Sequence, residues 1–281
     1  MVNYMKKKQI GCVIVLFNPD KKVVERIEQY PMNVSPIILI DNSTLNNASL
    51  FSNIIRDDVF YIALNNNTGI AHALNLGINK IKDKASYIIT MDQDSELTNI
   101  VVDTYYEAIS KMDNVKVLAP NFETERKKHK KKTGYDKVKL SMQSGMLFQS
   151  TVFDKVGMFN EELFLDVVDY EYCLRLRNCG IDILRCNEAI LNHHPAETRE
   201  RKFIYFSLKY GVASPIRYYY QARNLMWTAK KYKSFKMYQI LIIKLFKILL
   251  LFDNKKKYLD YYFIGIKDAN SNSLGKRDKV T

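Results

Sequence analysis

Short apolar runs rich in β-branched residues alternate with segments of helical periodicity through the first 120 residues. The runs span residues 10–18, 36–44, 59–64 and 86–92. Continuous runs of this length are typical of strands buried on both faces, which pair in parallel. Residues 65–81 read as a loop and a helix with one apolar face, which Thr68 is expected to cap. The alternation predicts an α/β domain with a mostly parallel central sheet and helices on both faces.

Polar residues follow several of these predicted strands. Asp41 ends the second, Asn65–Thr68 follows the third, and Asp92–Asp94 follows the fourth. Ligands of such sheets bind outside the carboxyl ends of the strands, near the point where strand order reverses. No G-x-G-x-x-G follows the first strand, which counts against a dinucleotide-binding dehydrogenase.

The stretch TMDQDSE (Thr90–Glu96) carries two carboxylates two residues apart. Taken alone, Asp92 and Asp94 are more typical of a polar turn, because Asp side chains bond nearby backbone N–H groups. The alternative is a divalent-metal site, since Mg²⁺-type ions prefer oxygen ligands. The expected position of the pair, on the same rim as Asp41 and Asn67, makes a chance polar turn a weaker explanation than it is for the pair alone.

The chain is basic, with a net charge of +13 and a pI of about 9.3, so anionic partners are expected. Nucleic acid, anionic lipid and nucleotide diphosphates all qualify. The block Arg126–Lys132 is interpreted as an exposed loop; contact with an anionic membrane or an acceptor pyrophosphate is the alternative. The block holds no aromatic residue, so we expect no nucleic-acid partner.

The N-terminal lysines, Lys6–Lys8, precede only a short apolar run that leads into Asn18. We expect a first strand there rather than a signal peptide, which makes the cytosol the default compartment. The four cysteines match no zinc spacing, and a disulfide framework is not expected in a chain this large.

Two features stand out between residues 140 and 180. Gly145 lies where the backbone must bend or approach another group closely. Asp169 stands at or just before the start of a helix that Gly180 ends. It can serve as an N-cap or as a carboxylate presented at the sheet rim, and the two roles are compatible.

The most apolar segment, Ser234–Phe252, carries lysines at 236, 244 and 247 that cluster on one arc with Lys233 and Gln239. A transmembrane helix would not carry lysines at its centre. An amphipathic helix on an anionic membrane surface fits, as does one packed on its own domain or in a homodimer. Flanking lysines favour the membrane. The tail from Ala269 to Thr281 is expected to be loose.

In order along the chain stand FNPD, LIDNST, NNNTGIAHALNLGI, MDQDSE, SGMLFQSTVFDKVGMFNEELFLDVVDYEYCLRLRNCG, LNHHPAE and RYYYQARN. Through this ordered set, residues 9–230 resemble family 2 glycosyltransferases of the GT-A fold. Within that family they are similar to bacterial rhamnosyltransferases of surface-polysaccharide synthesis. The resemblance implies a catalytic domain over residues 1–230, followed by a basic amphipathic helical region over residues 231–281.

The resemblance also assigns roles in nucleotide-sugar binding. Asp41 matches the carboxylate that reads the base. Asn67, Gly69 and Asn75 match a nucleotide-loop signature, although Asn75 can equally be a buried structural amide. The remaining positions of this expected set are Asp92, Gly145, Glu171 and Arg223.

The expected cofactor is Mg²⁺ or Mn²⁺. Asp94, and Asp92 directly or through a metal-bound water, match the family's D-x-D ligands. His193 or His194 matches a histidine that often completes the site. Ala196 stands where many members have glycine, so the choice between the histidines stays open. A strand-end pair satisfied by backbone is the alternative for both.

Asp169, counted back from Arg175, matches the family's catalytic base, which takes the proton of the acceptor hydroxyl. The implied reaction is a single displacement that inverts the anomeric centre. The implied donor is dTDP-L-rhamnose, with UDP-galactose or UDP-glucose as alternatives. The acceptor would be a growing surface polysaccharide or a lipid-linked saccharide at the cytoplasmic face of the membrane.

Overall fold

The chain folds into two compact units. The computed structural model describes residues 9–123, 132–193, 198–202 and 207–277. Unit 1 comprises residues 1–159 and 172–194, and unit 2 comprises residues 160–171 and 195–281. The boundary at residue 230 stays a prediction. All of the basic block except Lys132 lies outside the described residues.

Unit 1 is an α/β unit. Its strands are β1 (Ile10–Leu16), β2 (Val34–Asp41), β3 (Val59–Ala63), β4 (Tyr87–Asp92), β5 (Ser95–Glu96), β6 (Val117–Glu123), β7 (Tyr135–Val138), β8 (Leu147–Gln149) and β9 (Ile183–His193). Its helices are α1 (Lys21–Glu28), α2 (Ala48–Phe51), α3 (Ile70–Ile81), α4 (Asn99–Lys111), α5 (Thr151–Val156) and the greater part of α6 (Val168–Asn178), whose first turn belongs to unit 2.

The strands of unit 1 form one sheet in the order β3-β2-β1-β4-β8-β6-β9-β5, with β7 paired to β9. The first four strands are parallel, as predicted, and β1 is buried along its whole length. Beyond β4 the sheet is mixed, because the short strand β8 runs antiparallel to both β4 and β6. The order 3-2-1-4 places the reversal of strand order between β1 and β4.

The helices α1 and α3 begin in different ways. Asp20 caps α1, its carboxylate accepting from the N–H of Val23. Thr68 does not cap α3, contrary to expectation. Gly69 occupies the N-cap position with φ of 92°, and the Thr68 hydroxyl donates to Asn42 instead, 3.0 Å away. The backbone turn into α3 therefore relies on glycine.

Unit 2 is mostly helical. It contains a 3₁₀ turn (Glu161–Leu163), the antiparallel hairpin β10 (Thr198–Lys202) and β11 (Ser207–Gly211), and the helices α7 (Pro215–Lys231), α8 (Phe235–Leu251) and α9 (Lys255–Asn270). α9 lies within residues 231–281, where amphipathic helices were predicted. Gly265 lets α9 approach α7 closely, since a Cβ there would lie 2.4 Å from the Tyr219 carbonyl oxygen.

The tail that was expected to be loose is tied down as far as residue 277. The N–H of Gly275 donates to the Glu162 carbonyl at 2.6 Å, and Arg223 donates to the Gly275 carbonyl at 2.7 Å. The N–H of Arg277 donates to the Tyr220 hydroxyl. The expectation is wrong for residues 271–277 because buried side chains of α7 supply partners for a polar backbone. Residues 278–281 lie outside the described part.

Within the residues described, no helix combines the length and apolar character that crossing a bilayer requires.

Candidate active site

The register of the parallel strands brings the acidic strand ends to one rim of unit 1. Asp41 lies opposite Leu16 of β1 on one side and Ala63 of β3 on the other. Asp92 lies opposite Val15 on the far side of β1. Adjacent strands are about 4.8 Å apart, so the two aspartates stand roughly 10 Å apart across the end of β1. The rim that the sequence predicted is present.

Gln93, the central residue of the D-x-D stretch, fastens this stretch to the end of β1. Its side-chain oxygen accepts from the Phe17 N–H at 2.8 Å, and its amide group donates to the Phe17 carbonyl at 3.0 Å. Arg26 of α1 donates to the Gln93 carbonyl, and the hydroxyl of Tyr30, two residues beyond the end of α1, donates to the Ser95 carbonyl. These hydrogen bonds hold the loop at Gln93 and at Ser95, and so they position the carboxylates of Asp92 and Asp94.

Asp92 is held by residues that precede Gly145. The Gln143 side-chain amide donates to one carboxylate oxygen of Asp92. The N–H of Asp92 donates to the Ser144 hydroxyl at 3.1 Å, and that hydroxyl donates to the Ser95 hydroxyl at 2.9 Å. Oδ1 of Asp94 is a buried carboxylate oxygen. Gln143 thus contacts the Asp92 carboxylate, and the role of Asp94 as a metal ligand stays a prediction.

Gly145 lies in a turn that approaches neighbouring side chains closely. Its φ is 77°, and a Cβ would lie 2.8 Å from Cγ of Pro120 and 2.9 Å from Cδ2 of Leu191. Its N–H donates to the Thr90 carbonyl at 2.7 Å, and its carbonyl accepts from the Tyr105 hydroxyl. Both the close approach and the turn predicted from the sequence are present. Gly145 acts by positioning the neighbours of Asp92, and its nucleotide-sugar contact stays a prediction.

The first of the two candidate histidines is close to the D-x-D stretch in the backbone. β5 pairs antiparallel with the end of β9, and this places His193 opposite Ser95, the residue after Asp94. The His193 side chain and all of His194 lie outside the described residues, so the metal-ligand prediction for them stays a prediction. Within the described ranges, no group of three or more His, Cys, Asp or Glu side chains could hold a metal ion.

Asp41 is fully buried, and both of its carboxylate oxygens accept hydrogen bonds. Oδ1 accepts from the N–H and hydroxyl of Ser43, and Oδ2 accepts from the Asn47 amide at 2.8 Å and the Tyr61 hydroxyl at 2.6 Å. Burial, followed by the hydrogen bond to Asp41, raises the pKa of Tyr61, so this phenol stays a donor. These contacts order the loop after β2. The base contact of Asp41 stays a prediction.

The loop before α3 is held by Asn42. The Asn42 amide donates to the Asn67 side-chain oxygen, and its own oxygen accepts from the Thr68 N–H at 2.8 Å. The Asn67 oxygen also accepts from the Gly69 N–H. The predicted nucleotide-loop residues Asn67 and Gly69 are thus part of one ordered turn on the rim.

Asn75 lies deeper in unit 1. It is buried, and its amide exchanges two hydrogen bonds of 2.9 Å with the main chain of Phe159. This two-way pairing favours the structural amide, the alternative that the sequence left open.

Asp169 belongs to unit 2 and lies within the first turn of α6, not before it. Its Oδ1 accepts from the N–H of Tyr170 at 2.8 Å. The carboxylate is half-buried, so it retains access to solvent. Its role as the catalytic base stays a prediction.

The loop before Asp169 has an uncommon backbone. Phe164, Asp166 and Val167 have φ values of 61°, 59° and 66°. Non-glycine residues with positive φ cost about 1–3 kcal/mol each and persist only where their surroundings fix them. Here α7 does so. The Asn224 amide lies 2.7–2.9 Å from the carbonyls of Leu163, Leu165 and Asp166.

Arg223 completes this clamp. It is 1% exposed and donates to the Leu163 and Gly275 carbonyls and to the Asn224 side-chain oxygen. Its guanidinium also lies over the Tyr220 ring. The observed role of Arg223 is to position the loop before Asp169. The nucleotide contact that the resemblance implied stays a prediction.

Glu171, also expected to bind the nucleotide sugar, is 1% exposed. Its carboxylate accepts a hydrogen bond from the Tyr232 hydroxyl, within unit 2. This bond ties the first turn of α6 to the end of α7. The ligand contact of Glu171 likewise stays a prediction.

A family model described as "Glycosyl transferase family 2" matches residues 12–164. The dTDP-rhamnosyl transferase RfbF of Shigella flexneri is 31% identical over 249 residues, which cover 79% of this chain and 80% of that protein. The chain belongs to glycosyltransferase family 2. The family 2 enzyme resembles a second curated protein, the low-salt glycan biosynthesis hexosyltransferase Agl10 of Haloferax volcanii, at 21% identity over 95% of this chain and 93% of Agl10.

Solved structures confirm the GT-A fold of this family 2 enzyme. GalNAc-T7, crystallised with UDP, GalNAc and Mn²⁺, matches 95% of the chain with a TM-score of 0.60 at 14% identity. The chain spans 57% of the GalNAc-T7 chain. TarS of S. aureus (residues 1–349) in complex with UDP matches 94% of the chain and 72% of its own, with a TM-score of 0.56 at 10% identity.

Three groups that position the site were not predicted from the sequence: Gln93, Gln143 and Asn42. Gln143 carried a usable signal, since it stands two residues before a glycine at a predicted close approach. Asn224 stands in the motif RYYYQARN, but its partners could not be predicted because they are carbonyls about 60 residues earlier in the chain.

Proposed function

We propose that this enzyme transfers L-rhamnose from dTDP-L-rhamnose, with inversion and with a divalent metal, to a hydroxyl of a growing surface polysaccharide or lipid-linked oligosaccharide. The observation that carries the donor is the 31% identity to dTDP-rhamnosyl transferase RfbF over 79% of the chain. The family model matches residues 12–164, which include Asp41, Asn67 and Asp92–Asp94 on the rim.

The rim of unit 1 supports binding of the donor nucleotide. Phe17 is 48% exposed at the end of β1, and its backbone is fixed by Gln93. An exposed aromatic side chain on an ordered backbone offers a stacking surface for a base. The ordered turn at Asn67–Gly69 closes the same rim, where sheets of this type bind ligands.

The residues present fit a Mg²⁺ or Mn²⁺ ion. Asp92 and Asp94 offer the hard carboxylate oxygens that such ions take, and one or two carboxylates suffice when diphosphate oxygens complete the shell. His193 is a further candidate through its backbone position opposite Ser95. When bound, the cation would neutralise charge on the leaving dTDP. GalNAc-T7, a neighbour in fold, was crystallised with Mn²⁺.

Asp169 is the proposed general base. It takes the proton of the acceptor hydroxyl as that oxygen attacks the anomeric carbon. One displacement from the side opposite dTDP inverts the anomeric centre, and no covalent sugar intermediate is required. The clamp formed by Arg223 and Asn224 fixes the loop that leads into Asp169.

A second donor class has specific support. TarS has been crystallised with UDP and with UDP-GlcNAc, and Agl10 is named a hexosyltransferase. The alternative donor is therefore another sugar nucleotide, such as UDP-galactose or UDP-glucose.

A donor panel tests the proposal. In the presence of a saccharide acceptor and a divalent metal, we expect release of dTDP from dTDP-L-rhamnose. We expect little release of UDP from UDP-galactose or UDP-glucose. Asp169→Asn should lower kcat by about 10²–10⁴-fold, the usual contribution of a positioned general base. Asp260→Asn, at an exposed position on α9, is the matched control and should retain wild-type kcat. Preference for a UDP-sugar would assign the alternative donor. Wild-type turnover by Asp169→Asn would remove Asp169 from the proposal.

A further inference from the structure

One face of α8 is exposed and apolar. Phe235 is 73% exposed, Phe246 56% and Leu250 62%. The exposed apolar side chains of the helix are Phe235, Ile242, Ile243, Phe246, Leu249 and Leu250. At 100° per residue these six lie on one arc of about 120°, which also contains the exposed Gln239, so they form a largely apolar stripe along the helix. We call this stripe the α8 face.

The lysines at the centre of α8 do not share this face. Lys244 donates to the Gln221 side chain of α7 at 2.8 Å, and burial lowers its pKa. Lys247 donates to the Gly211 carbonyl and lies over the rings of Tyr210 and Phe252. α8 therefore directs two charged groups toward the rest of unit 2 and its largest apolar side chains away from it.

This arrangement is costly unless the α8 face has a partner. Soluble surfaces carry isolated apolar residues freely, but a contiguous stripe marks an interaction site. Exposing six large side chains while lysines are partly desolvated inverts the usual pattern of a surface helix. Something apolar must cover the α8 face in the working state.

Charge around the α8 face identifies that partner. Residues 231–257 contain eight lysines and one acidic residue, Asp253. Lys233 and Lys236 are exposed at the start of α8, and Lys255–Lys257 are exposed immediately beyond its end. An apolar stripe flanked by exposed lysines matches the acyl boundary and anionic headgroups of a bilayer. A second copy of this chain fits less well, because a twofold contact would oppose like charges.

We infer that the α8 face docks flat on an anionic membrane, with Lys233, Lys236 and Lys255–Lys257 at the level of the headgroups. The inference concerns unit 2 alone and does not depend on the donor sugar. It would hold the enzyme at the surface where lipid-linked acceptors reside.

Vesicle co-sedimentation of the full chain tests this inference. We expect binding to vesicles containing phosphatidylglycerol, weak binding to pure phosphatidylcholine, and weaker binding as salt rises. The double variant Ile243→Asp/Phe246→Asp should lower the partition coefficient by at least about tenfold, since it places charges in the acyl boundary. Replacing Lys255, Lys256 and Lys257 by Gln should also lower it by at least about tenfold and weaken the salt dependence.

The matched control is Ile55→Asp/Ile100→Asp. These isoleucines are 89% and 68% exposed but belong to unit 1. The control should bind vesicles as the wild type does. Release of dTDP with a soluble acceptor should be the same in all variants, which separates docking from catalysis.

Three results would overturn the inference. One is a wild-type protein that ignores anionic vesicles. Another is an Ile243→Asp/Phe246→Asp variant that binds them as well as the wild type. The third is a wild-type dimer in sedimentation velocity that this variant dissociates without any lipid effect; it would assign the α8 face to a second copy of the chain.

Discussion

The side-chain amide of Asn224 lies 2.9 Å from the carbonyl oxygen of Asp166, three residues before Asp169. The same amide is within hydrogen-bond distance of the Leu163 and Leu165 carbonyls, so one buried side chain of α7 fixes a loop with repeated positive φ values. Arg217 adds an ion pair to Asp166 at 2.6 Å. The backbone that leads into the proposed base is therefore set by α7, in the same unit.

Replacing Asn224 by Ala should impair both stability and turnover. The variant leaves buried carbonyls without their donor, so the free energy of unfolding should fall by about 2–3 kcal/mol. We also expect kcat to fall at least about tenfold, because small misplacement of a catalytic group is costly. Urea unfolding and steady-state kinetics measure the two effects.

Asn270→Ala is the control for this prediction. Asn270 is exposed at the end of α9, so its loss should change stability by less than about 0.5 kcal/mol. If Asn224→Ala loses stability but keeps the wild-type kcat, the clamp is structural only.

Substitution of Asp94 should impair Mn²⁺ binding and turnover more than substitution of Asp92 does. Asp94→Asn should weaken Mn²⁺ binding in the presence of dTDP, measured by electron paramagnetic resonance, and lower turnover more than about a hundredfold. Asp92→Asn should have a smaller effect, because one oxygen of Asp92 already accepts from Gln143. Chelation should abolish wild-type turnover, and added Mn²⁺ should restore it. Equal Mn²⁺ affinity in Asp94→Asn and in an exposed control, Asp83→Asn, would contradict the assignment.

The parallel half of the sheet and its acidic rim could be predicted from the sequence because both follow from local patterns. A continuous apolar run predicts a buried strand, and a polar residue directly after it must lie at the strand end, as Asp41 and Asp92 do. The ordered motifs then predicted the family and the GT-A fold, which the family model and the structural neighbours confirm.

What the sequence could not supply were the long-range partners of polar groups. Arg223 looks the same in sequence whether it binds a nucleotide or the carbonyl of Gly275, 52 residues later. The helical periodicity groups the α8 lysines on one arc, but it does not show whether that arc faces solvent or the rest of unit 2. Lys244 and Lys247 turn inward because α7 and β11 offer them oxygen acceptors.

Gln93→Ala should weaken donor binding. The substitution removes two hydrogen bonds that hold the Phe17 backbone, each worth about 1 kcal/mol, so KM for the donor should rise about tenfold. The effect on kcat should be smaller, since Asp169 is untouched. Gln29→Ala, at an exposed site just after α1, should leave KM unchanged. A Gln93→Ala enzyme with wild-type KM would show that Phe17 needs no such support.

Comparing Gly145→Ala with Gly134→Ala separates the effect of close packing at Gly145 from the effect of the glycine backbone conformation. The two glycines have nearly the same φ, 77° and 78°, so an added Cβ imposes a similar backbone penalty of about 1–2 kcal/mol at each. At Gly134 the new atom would meet nothing within 4 Å, whereas at Gly145 it would lie under 3 Å from Pro120 and Leu191.

We therefore expect Gly145→Ala to lose a further 1–3 kcal/mol, roughly the cost of overpacking a tight site, in urea unfolding. It should also lower turnover, because Gln143 and Ser144 hold Asp92 through this turn. Gly134→Ala should keep the wild-type kcat. Equal destabilisation of the two variants would mean that Pro120 and Leu191 move aside, and that the turn at Gly145 needs glycine for its backbone conformation alone.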